Sequence, residues 1–402
     1  MSKIIVIGAG QAGSSLVIKL RALGFDGDIT LIGAEPVPPY QRPPLSKKYM
    51  LGEMAVERLF LRPAAFYAEQ RITLMLGVEV TAIDRGAKTV TLGSGAVLEY
   101  DQLALTTGSQ PLKLPASIGG DLKGVYSVRT LADADLMAAN FTPDRRALII
   151  GGGYIGLEAA AVARTRDVEV VLVEMADRIL QRVAAPATSD YFRTLHTMRG
   201  VDIRESVGLS LLNGQDGRVT SAMLSDGTVL DIDFAIVGVG IMPATQLAAD
   251  IGLEIDNGIK VDGFGRTSDP DIFAAGDCTS FPYKDHRIRL ESVPNAIAQA
   301  EATASAMLGE GVKYHAKPWF WSDQYDVKLQ IAGLNTGYDR VITRQSGNAT
   351  SFWYFNGNTL LAVDAMNDPR AYMVAKRLIE AGKSPDAAAI SDPETDLKSL
   401  LQ

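Results

Sequence analysis

The apolar positions of the chain repeat one arrangement twice. Short apolar runs at Ile4–Ile7 and Ala147–Ile150 are each followed by a glycine-rich loop and an alanine-rich stretch of helical character. A second apolar run then ends near an acidic residue, at Thr30–Glu35 and at Val168–Glu174. Strand, loop, helix and strand in this order are typical of a βαβ unit with parallel strands. The pattern therefore predicts two such units, one in each half of the chain.

The remainder of each half also follows a common plan. Two further apolar runs, Leu103–Gly108 and Phe234–Gly240, are typical of buried strands that end in a glycine turn. Between each βαβ unit and this strand, turn residues divide the chain into short antiparallel hairpins. Hairpin strands are predicted at Gly77–Ile83, Thr89–Leu92 and Ala96–Glu99, and hairpin turns at Asn213–Gly217 and Ser225–Gly227.

The residues beyond these two halves predict further structure. Thr267–Asp277 is typical of a strand with an acid at its tip, and a helix is predicted over Pro294–Leu308. A separate unit begins near Pro318 and combines aromatic strands with an amphipathic helix, at Ser351–Phe355, Leu360–Asp364 and Arg370–Ala381. The predicted fold class is therefore α/β, with two Rossmann-like dinucleotide-binding domains followed by a C-terminal α+β domain.

The two glycine-rich loops have the spacing of a dinucleotide-binding fingerprint. The first two glycines permit a tight turn and close approach to a pyrophosphate, and the third lets the helix pack on the strand. The helix N-terminus faces the phosphates, and the acid after the second strand, Glu35 or Glu174, accepts from a ribose 2′-hydroxyl. One loop alone could be a chance glycine turn, but two in this context predict two bound dinucleotides. The positions are Gly8, Gly10, Ala12, Gly13, Gly151, Gly153, Ile155 and Gly156.

The composition argues against several classes of protein. The 402 residues are 47% hydrophobic, which suits a globular protein with a sizeable core. A net charge of −8 argues against general affinity for nucleic acids. The first apolar run is too short for a signal peptide, and no stretch approaches the ~18 apolar residues of a membrane span. We therefore expect a cytoplasmic protein without nucleic-acid or membrane partners.

Cysteine and histidine are scarce, which restricts the chemistry. Cys278 is the single cysteine, so an intramolecular disulfide cannot form, and we expect this residue to be a buried small side chain. His196, His286 and His315 lack the spacing of metal ligands and are predicted to be ordinary surface or loop residues. No metal site is predicted.

Three motifs together resemble the two-dinucleotide-binding flavoprotein family, in which an NAD domain interrupts the FAD domain. They are the first glycine loop, Thr107-Gly108 and Gly276-Asp277. Longer segments, in order along the chain, resemble the bacterial ferredoxin reductases of the putidaredoxin reductase type: Arg42–Lys47, Gly151–Glu158, Glu291–Ala296 and Trp319–Tyr325. The resemblance implies an FAD domain at residues 1–110 and 244–317, an NAD domain at 111–243 and an interface domain at 318–402.

The resemblance also implies an FAD held without a covalent bond. Gly8, Gly10 and Gly13 would bind its pyrophosphate, Glu35 its adenosine ribose and Asp277 its ribityl chain. Other positions that match flavin contacts are Arg42 near the adenosine, Val80, Thr107, Gly108, Arg129, Gly276, Glu291 and Val293. The two valines are also explained as core residues, and Arg129 as a surface charge.

The second loop is expected to bind NADH in preference to NADPH. A carboxylate at Glu174 accepts from a free 2′-hydroxyl but repels a 2′-phosphate, and Met175–Asp177 supply no arginine to receive one. Arg182 lies one loop later and leaves open a contact with the adenosine side. Gly238, at the end of the neighbouring strand, is expected to line the same site.

Lys47 and Glu158 are the candidate catalytic residues. Glu158 lies within the first turns of the helix that follows the second glycine loop. Lys47 is the last residue of Arg42–Lys47, one of the segments that resemble the ferredoxin reductases. In the related reductases these positions lie close to the flavin and the nicotinamide, where a lysine stabilises negative charge on the reduced ring. The alternative is a surface salt bridge, which contributes little to stability.

The resemblance predicts a reductase that moves electrons from NADH through FAD to a 2Fe–2S ferredoxin serving a monooxygenase or dioxygenase. Three alternatives stay open. A rubredoxin reductase would use the same chemistry with another iron protein, and an NADH oxidase would deliver electrons to oxygen. A relative of apoptosis-inducing factor would bind FAD and NADH and act through partners instead.

The resemblance implies that the ferredoxin partner is acidic, as this chain is. Docking then requires a local basic surface near the flavin edge, because electrostatic steering depends on local rather than net charge. Trp321 matches an interface position in the related reductases and could anchor the partner. Its alternative is a core tryptophan. Basic candidates lie within Tyr283–Arg289 and at Arg62, Lys328, Arg340 and Arg344. Glu301 departs from those relatives that carry a basic docking residue there.

Overall fold

The structure is a computed structural model that describes residues 2–401. The chain forms two compact units, each assembled from separated segments. The first unit contains the chain up to Arg42, Ala55–Gln110 and Ile241–Lys317. The second contains Pro43–Met54, Pro111–Gly240 and the chain from Pro318 onward.

The regular elements are numbered in chain order. The strands are β1 (Lys3–Ile7), β2 (Asp28–Gly33), β3 (Ile72–Leu76), β4 (Val80–Asp84), β5 (Thr89–Leu92), β6 (Val97–Glu99), β7 (Gln102–Leu105), β8 (Ser109–Pro111), β9 (Val125–Ser127), β10 (Arg146–Ile150), β11 (Glu169–Glu174), β12 (Val201–Glu205), β13 (Leu209–Gln215), β14 (Arg218–Leu224), β15 (Val229–Asp231), β16 (Phe234–Val237), β17 (Ile241–Pro243), β18 (Ile259–Lys260), β19 (Ile272–Ala274), β20 (Thr279–Tyr283), β21 (His286–Ile288), β22 (Trp319–Gln324), β23 (Val327–Gly333), β24 (Arg340–Ser346), β25 (Ala349–Asn356) and β26 (Thr359–Met366). The α-helices are α1 (Gln11–Ala22), α2 (Ala64–Glu69), α3 (Leu131–Ala138), α4 (Tyr154–Thr165), α5 (Pro186–Met198), α6 (Gln246–Asp250), α7 (Val293–Met307), α8 (Pro369–Glu380) and α9 (Ala387–Ser391). Short 3-10 turns occupy Pro43–Ser46, Val56–Arg58, Ala116–Ile118 and Leu397–Leu401.

The first unit is built on a parallel sheet of strand order β19-β7-β1-β2-β3. Alternate residues of β1 enter two separate cores, as expected for a sheet covered on both faces. Ile4 and Val6 pack with α1 and α7, whereas Ile5 and Ile7 pack with the antiparallel strands β4–β6 and with α6. The carboxyl ends of β1, β7 and β19 therefore meet at one edge of this sheet.

The second unit contains a parallel sheet of order β12-β11-β10-β16-β9 and a C-terminal antiparallel sheet of order β22-β23-β26-β25-β24. Helix α8 covers the C-terminal sheet, where Tyr372 and Leu378 pack against Trp353 and Phe355. Helix α4 also contacts β22. Both predicted βαβ units, β1-α1-β2 and β10-α4-β11, are confirmed, and so is the predicted α/β fold class.

The prediction for His196 is wrong. His196 was expected at the surface or in a loop, but it lies in α5 and is fully buried. The cause is the packing of α5 against the C-terminal sheet, where a glutamine side chain supplies a partner for the imidazole. The prediction that Cys278 is buried is confirmed.

Helices within residues 2–401 are all too short or too polar to cross a membrane. The same residues contain no cluster of three or more histidine, cysteine, aspartate or glutamate side chains able to hold a metal ion.

Candidate functional site

The first glycine loop lies in the first unit, between β1 and α1. A Cβ on Gly8 would fall 2.2 Å from the carbonyl oxygen of Thr106, and a Cβ on Gly13 would fall 2.0 Å from the carbonyl oxygen of Gly8. Gly10 differs, because a Cβ there would meet no atom within 4 Å among the described residues. Two glycines thus permit close packing of loop, strand and helix, and the middle one borders open space where a phosphate can approach.

The second glycine loop repeats this geometry in the second unit. A Cβ on Gly151 would fall 2.5 Å from the carbonyl oxygen of Gly238, and a Cβ on Gly156 would fall 2.1 Å from that of Gly151. At Gly153, again, a Cβ would meet nothing within 4 Å in the part of the chain that the structure describes. Ile155, in the first turn of α4, is an apolar side chain that is 46% exposed.

The helix N-termini at both loops are suited to bind an anion. Gly10 and Gly153 are the N-caps of α1 and α4, and neither helix N-terminus within residues 2–401 receives a side-chain cap or carries an acid in its first turn. The first N–H groups of a helix lack intrahelical partners and lie at the positive end of the helix dipole. Both loops therefore fit the pyrophosphate of a dinucleotide.

Glu35 is held by two side chains of its own unit. Its Oε2 accepts from the Tyr40 hydroxyl at 2.6 Å, and its Oε1 accepts from the Arg42 guanidinium at 2.7 Å. A carboxylate has about four acceptor positions, so capacity for ribose hydroxyls is left. Arg42 also lies over the Tyr40 ring, at 5.1 Å from its centroid. The structure therefore places Arg42 in direct contact with Glu35, the acid that is predicted to bind the ribose.

The segments around Gly108 and Gly276 meet the first glycine loop at the edge of the parallel sheet. A Cβ on Gly276 would lie 3.0 Å from that of Ala12, so the loop before Asp277 approaches α1 closely. Ser109 donates to the Asp277 carboxylate at 3.1 Å. The Thr107 hydroxyl donates to the carbonyl oxygen of Ala244 at 2.6 Å. These predicted site residues thus converge in space although they are far apart in sequence.

Glu174 orders the backbone of the second glycine loop. Its Oε2 accepts from the Gly152 N–H at 2.7 Å, and its Oε1 accepts from the Ala176 N–H at 2.8 Å. These bonds fix the carboxylate beside the loop, at the carboxyl end of β11. Arg182 is exposed, and a Cβ on Gly240 would lie 3.8 Å from its guanidinium. Arg182 therefore lies near the loop between β16 and β17.

Lys47 and Glu158 form an ion pair inside the second unit. The Lys47 Nζ lies 3.0 Å from the Glu158 Oε1, and Glu158 is only 3% exposed. The hydroxyl of Ser322 donates to the Glu158 Oε1 at 2.6 Å, and the hydroxyl of Ser46 donates to its Oε2 at 2.8 Å. The alternative of a surface salt bridge is therefore wrong.

The electrostatics of this pair follow from its burial. Burial raises the pKa of the Glu158 carboxyl above its usual range, and the Lys47 ammonium with the two serine hydroxyls opposes that rise. Loss of one buried partner leaves the other charge uncompensated. The charge state of Glu158 therefore depends on Lys47.

The remaining predicted flavin positions have mixed surroundings. Val80 lies in a core cluster of the first unit, which agrees with core packing. Val293 begins α7, and the side chains of Glu291 and Arg289 are paired. The main-chain N–H of Arg129 donates to Asp133 at the start of α3.

The predicted docking residues also separate into groups. Arg344 is wrong as a docking residue, because it is 7% exposed and donates to carbonyl oxygens of Ile390, Asp392, Pro393 and Thr395. The Arg287 guanidinium likewise donates to main-chain oxygens of Val261 and Ser280.

Lys328 is exposed. Trp321 is partly buried and packs on Trp319, with ring centroids 5.6 Å apart. Glu301 is exposed on α7.

The sequence interpretation missed the two serines that bind Glu158. Ser46 lies within the predicted Arg42–Lys47 segment, and Ser322 lies within the Trp319–Tyr325 segment. Alternation along β22 was an available signal, since Ser322 and Gln324 share one face and are both fully buried.

The sequence and fold match known proteins over nearly the full length of this chain. Residues 2–300 match the family model of pyridine nucleotide-disulphide oxidoreductases, and residues 319–401 match the reductase C-terminal domain. The chain belongs to the pyridine nucleotide-disulphide oxidoreductase family. Members of this family are flavoproteins that bind FAD and NAD(P)H, which agrees with the two glycine loops.

Among its relatives, rhodocoxin reductase of Rhodococcus erythropolis is 42% identical over 99% of this chain and 94% of its own. Putidaredoxin reductase of Pseudomonas putida is 40% identical over 99% of this chain and 96% of its own. A crystal structure of the covalent putidaredoxin reductase–putidaredoxin complex matches with a TM-score of 0.96 and 40% identity, covering 100% of this chain and 98% of that one. The predicted resemblance to reductases of the putidaredoxin reductase type is confirmed.

Proposed function

We propose that this protein is an FAD-dependent reductase that moves electrons from NADH to a 2Fe–2S ferredoxin. The observation that carries the proposal is the repeated glycine loop, present once in each unit and bordering open space at Gly10 and Gly153. Two loops of this kind match two dinucleotides, one redox cofactor and one nicotinamide donor. Relatives that match 99% of the chain are named rhodocoxin reductase, ferredoxin–NAD(P)+ reductase and putidaredoxin reductase, which supports a ferredoxin as the electron acceptor.

The residues of the first unit suit FAD. The uncapped N-terminus of α1 and the loop from Gly8 to Gly13 would hold the pyrophosphate, and Glu35 with Arg42 would hold the adenosine ribose. Asp277, at the sheet edge, would accept from ribityl hydroxyls. When bound, FAD accepts a hydride equivalent and releases electrons singly, which is chemistry that no side chain here supplies. We propose that it is bound without a covalent bond.

In the second unit, Glu174 would select the nicotinamide donor. Two main-chain N–H groups orient the oxygens of the Glu174 carboxylate. The carboxylate therefore stays at the position that a ribose 2′-hydroxyl would reach. A 2′-phosphate there would meet a negative charge. We therefore propose a preference for NADH over NADPH.

Lys47 would act on charge near the reacting rings. It is anchored by Glu158, and Glu158 is held by Ser46 and Ser322, so the ammonium has a fixed direction. A positive charge fixed in a site that excludes water stabilises developing negative charge strongly. We assign two tasks to the protein, which are to position the substrate and to supply this electrostatic stabilisation.

The domain boundaries are part of the proposal. We propose an FAD domain of residues 1–110 and 244–317, an NAD domain of residues 111–243 and a C-terminal interface domain of residues 318–402. We also propose that the ferredoxin docks near Trp321 with help from exposed basic residues, and that the protein is cytoplasmic. Cell fractionation tests the location.

Anaerobic titration with NADH tests the function directly. Bleaching of the flavin absorbance by one equivalent of NADH, followed by reoxidation on addition of an oxidised 2Fe–2S ferredoxin, is the expected result. Acid precipitation should release the yellow FAD into the supernatant. Reoxidation only by rubredoxin, or only by oxygen, would instead assign the protein to one of those acceptors. A flavin that NADH barely reduces would favour a binding protein without reductase activity.

A further inference from the structure

A row of buried polar side chains continues from Glu158 through the second unit. Ser322 and Gln324 lie on one face of β22, and His196 faces them from α5; the three are fully buried. Buried polar groups are costly unless they are hydrogen-bonded, so the pairing of this row constrains each of its members.

The row is joined by consecutive hydrogen bonds. Ser322 Oγ lies 2.6 Å from Glu158 Oε1, and Gln324 Nε2 lies 3.2 Å from Ser322 Oγ. Next, Gln324 Oε1 lies 2.8 Å from His196 Nε2, and His196 Nδ1 lies 3.4 Å from the Tyr325 hydroxyl. We call these five residues the Glu158 chain. It runs from the ion pair with Lys47 to the turn between β22 and β23.

An ionised Glu158 permits one direction of hydrogen bonding along the chain. A carboxylate only accepts, so the Ser322 hydroxyl must donate to it. Ser322 Oγ then accepts from the Gln324 amide, which turns the amide oxygen toward His196. The imidazole must therefore carry its proton on Nε2, and its Nδ1 accepts from the Tyr325 hydroxyl.

Loss of the acceptor at residue 158 favours the opposite direction. Ser322 then donates to the Gln324 oxygen, and the flipped amide donates to His196 Nε2. The imidazole proton moves to Nδ1, where it donates to Tyr325. Both arrangements satisfy every inner group, whereas a mixed arrangement places two donors or two lone pairs face to face. In a buried site that mismatch leaves a donor or an acceptor without a partner, so the chain changes direction as a whole.

We propose that Ser322, Gln324 and His196 are positioning residues for Glu158, and that the negative charge of Glu158 sets the tautomer of His196. The charge facing Glu158 is Lys47, and the groups facing His196 are Tyr325 and Arg199. The effect of these positioning residues on electron transfer rests on the proposed function of Glu158. The hydrogen-bonded link between Glu158 and His196 does not rest on that function.

The link has a consequence at the surface. The Arg199 guanidinium lies 4.7 Å from the centroid of the Tyr325 ring and pairs with Asp326 at 2.5 Å. A reversed chain frees the Tyr325 hydroxyl to donate outward at this turn. The state of the ion pair is thereby transmitted to the same hairpin that carries Trp321.

The test is nitrogen NMR of the FAD-loaded, oxidised protein with isotopically labelled histidine. Its three histidines can be assigned with His286→Gln and His315→Gln, two positions outside the chain. The wild type should show His196 protonated on Nε2. Glu158→Met should show it protonated on Nδ1. Asp364→Asn is the matched control, since it neutralises another buried carboxylate on the C-terminal sheet and should leave the Nε2 tautomer unchanged.

Two results would overturn the proposal: an unchanged tautomer in Glu158→Met, or the same change in Asp364→Asn. If Glu158→Met fails to fold, Lys47→Met replaces it. Removal of the ammonium raises the pKa of Glu158 further. A carboxyl protonated on Oε1 donates to the Ser322 oxygen, so Ser322 must then donate to Gln324. Acidification of Lys47→Met should therefore move the His196 proton to Nδ1 at a higher pH than in the wild type. A tautomer in Lys47→Met that follows the wild-type titration would also overturn the link.

The functional consequence has its own measurement. Ser322→Ala removes a donor that lowers the pKa of Glu158, so the acid limb of the pH profile for flavin reduction by NADH should move to higher pH. A Ser322→Ala profile identical to wild type, together with the predicted tautomers, would retain the link and reject the role of Glu158 in the reaction. Absence of any NADH reduction in the wild type would reject the proposed function alone.

Discussion

The Lys47 ammonium and the Glu158 carboxylate are 3.0 Å apart in the interior of the second unit, although 111 positions separate them in sequence (158 − 47). An ion pair at the surface would contribute little, but a buried pair makes each charge depend on the other. The serine hydroxyls at both carboxylate oxygens fix its orientation. This relationship makes Lys47 the sharpest target for mutation.

We expect Lys47→Met to slow flavin reduction by NADH at least about tenfold while FAD stays bound, because a fixed charge near the reacting rings is lost. Stopped-flow absorbance under anaerobic conditions measures the rate, and Lys48→Met, at an exposed neighbour, is the control. An unchanged rate and an unchanged flavin potential in Lys47→Met would exclude the catalytic role.

Glu174→Ala should relax the preference for NADH. Hydrogen bonds to charged groups contribute about 1.5–3 kcal/mol, so kcat/KM for NADH should fall about 10- to 100-fold. The value for NADPH should fall less or rise, because repulsion of the 2′-phosphate disappears. Glu169→Ala, at an exposed position at the other end of β11, should change neither value. A wild type that uses both donors equally would contradict the assignment.

Asp364 should make stability depend on pH in an unusual direction. Burial raises the pKa of Asp364 from 3.8 to about 6, so the folded protein binds this proton more tightly than the unfolded chain. Stability is therefore lost as the pH rises from 3.8 to about 6, by up to about 3 kcal/mol. Asp364→Asn should remove this loss. The melting temperature of the variant, measured with saturating FAD, should therefore increase relative to that of the wild type as the pH rises through that range. A difference between the two proteins that is constant with pH would contradict the prediction.

His196 should act with the opposite sign. Burial lowers the pKa of His196 from 6.5 to about 4, so the unfolded chain binds the proton first and stability is lost as the pH falls through that range. His196→Gln should therefore lose less stability than wild type on acidification. His286→Gln, at an exposed position, is the control and should follow wild type. The contributions of Asp364 and His196 oppose each other, which is why the single variants are needed to see either.

The sequence predicted those parts of the molecule that depend on neighbouring residues. The two βαβ units follow from local apolar runs and from loops such as Gly8–Gly13, where strand and helix adjoin in sequence. Helix α8 was predicted within one residue of its bounds because its apolar stripe is local. The pairing of Lys47 with Glu158 was suggested by the resemblance, and periodicity alone gave no reason for it.

The buried polar row of the second unit was beyond reach of local patterns. His196 and Gln324 are 128 positions apart, and Ser322 and Glu158 are 164 apart. Their contact depends on how the C-terminal sheet packs against α4 and α5, which no window of sequence encodes. Arg344 was misjudged for the same reason, because its charge is used internally to bind the carbonyl oxygens of the C-terminal segment.

The last prediction concerns the ferredoxin surface. In the C-terminal sheet, Trp321 pairs with Gln330 and Asp323 pairs with Lys328, so Trp321 and Lys328 lie on neighbouring strands and share a face. Arg340 lies on β24 at the opposite edge of that sheet. We therefore expect ferredoxin-dependent turnover to fall about 10- to 30-fold in Trp321→Ala, as for an aromatic anchor of an interface, and to fall in Lys328→Glu.

Arg340→Glu makes the same charge change and should keep wild-type turnover. Ferricyanide reduction with NADH should stay unchanged in all three variants, and the effect of Lys328→Glu should weaken at high salt. Equal losses in the Lys328 and Arg340 variants would exclude a local patch, and parallel losses in both assays with release of FAD would make Trp321 a structural residue.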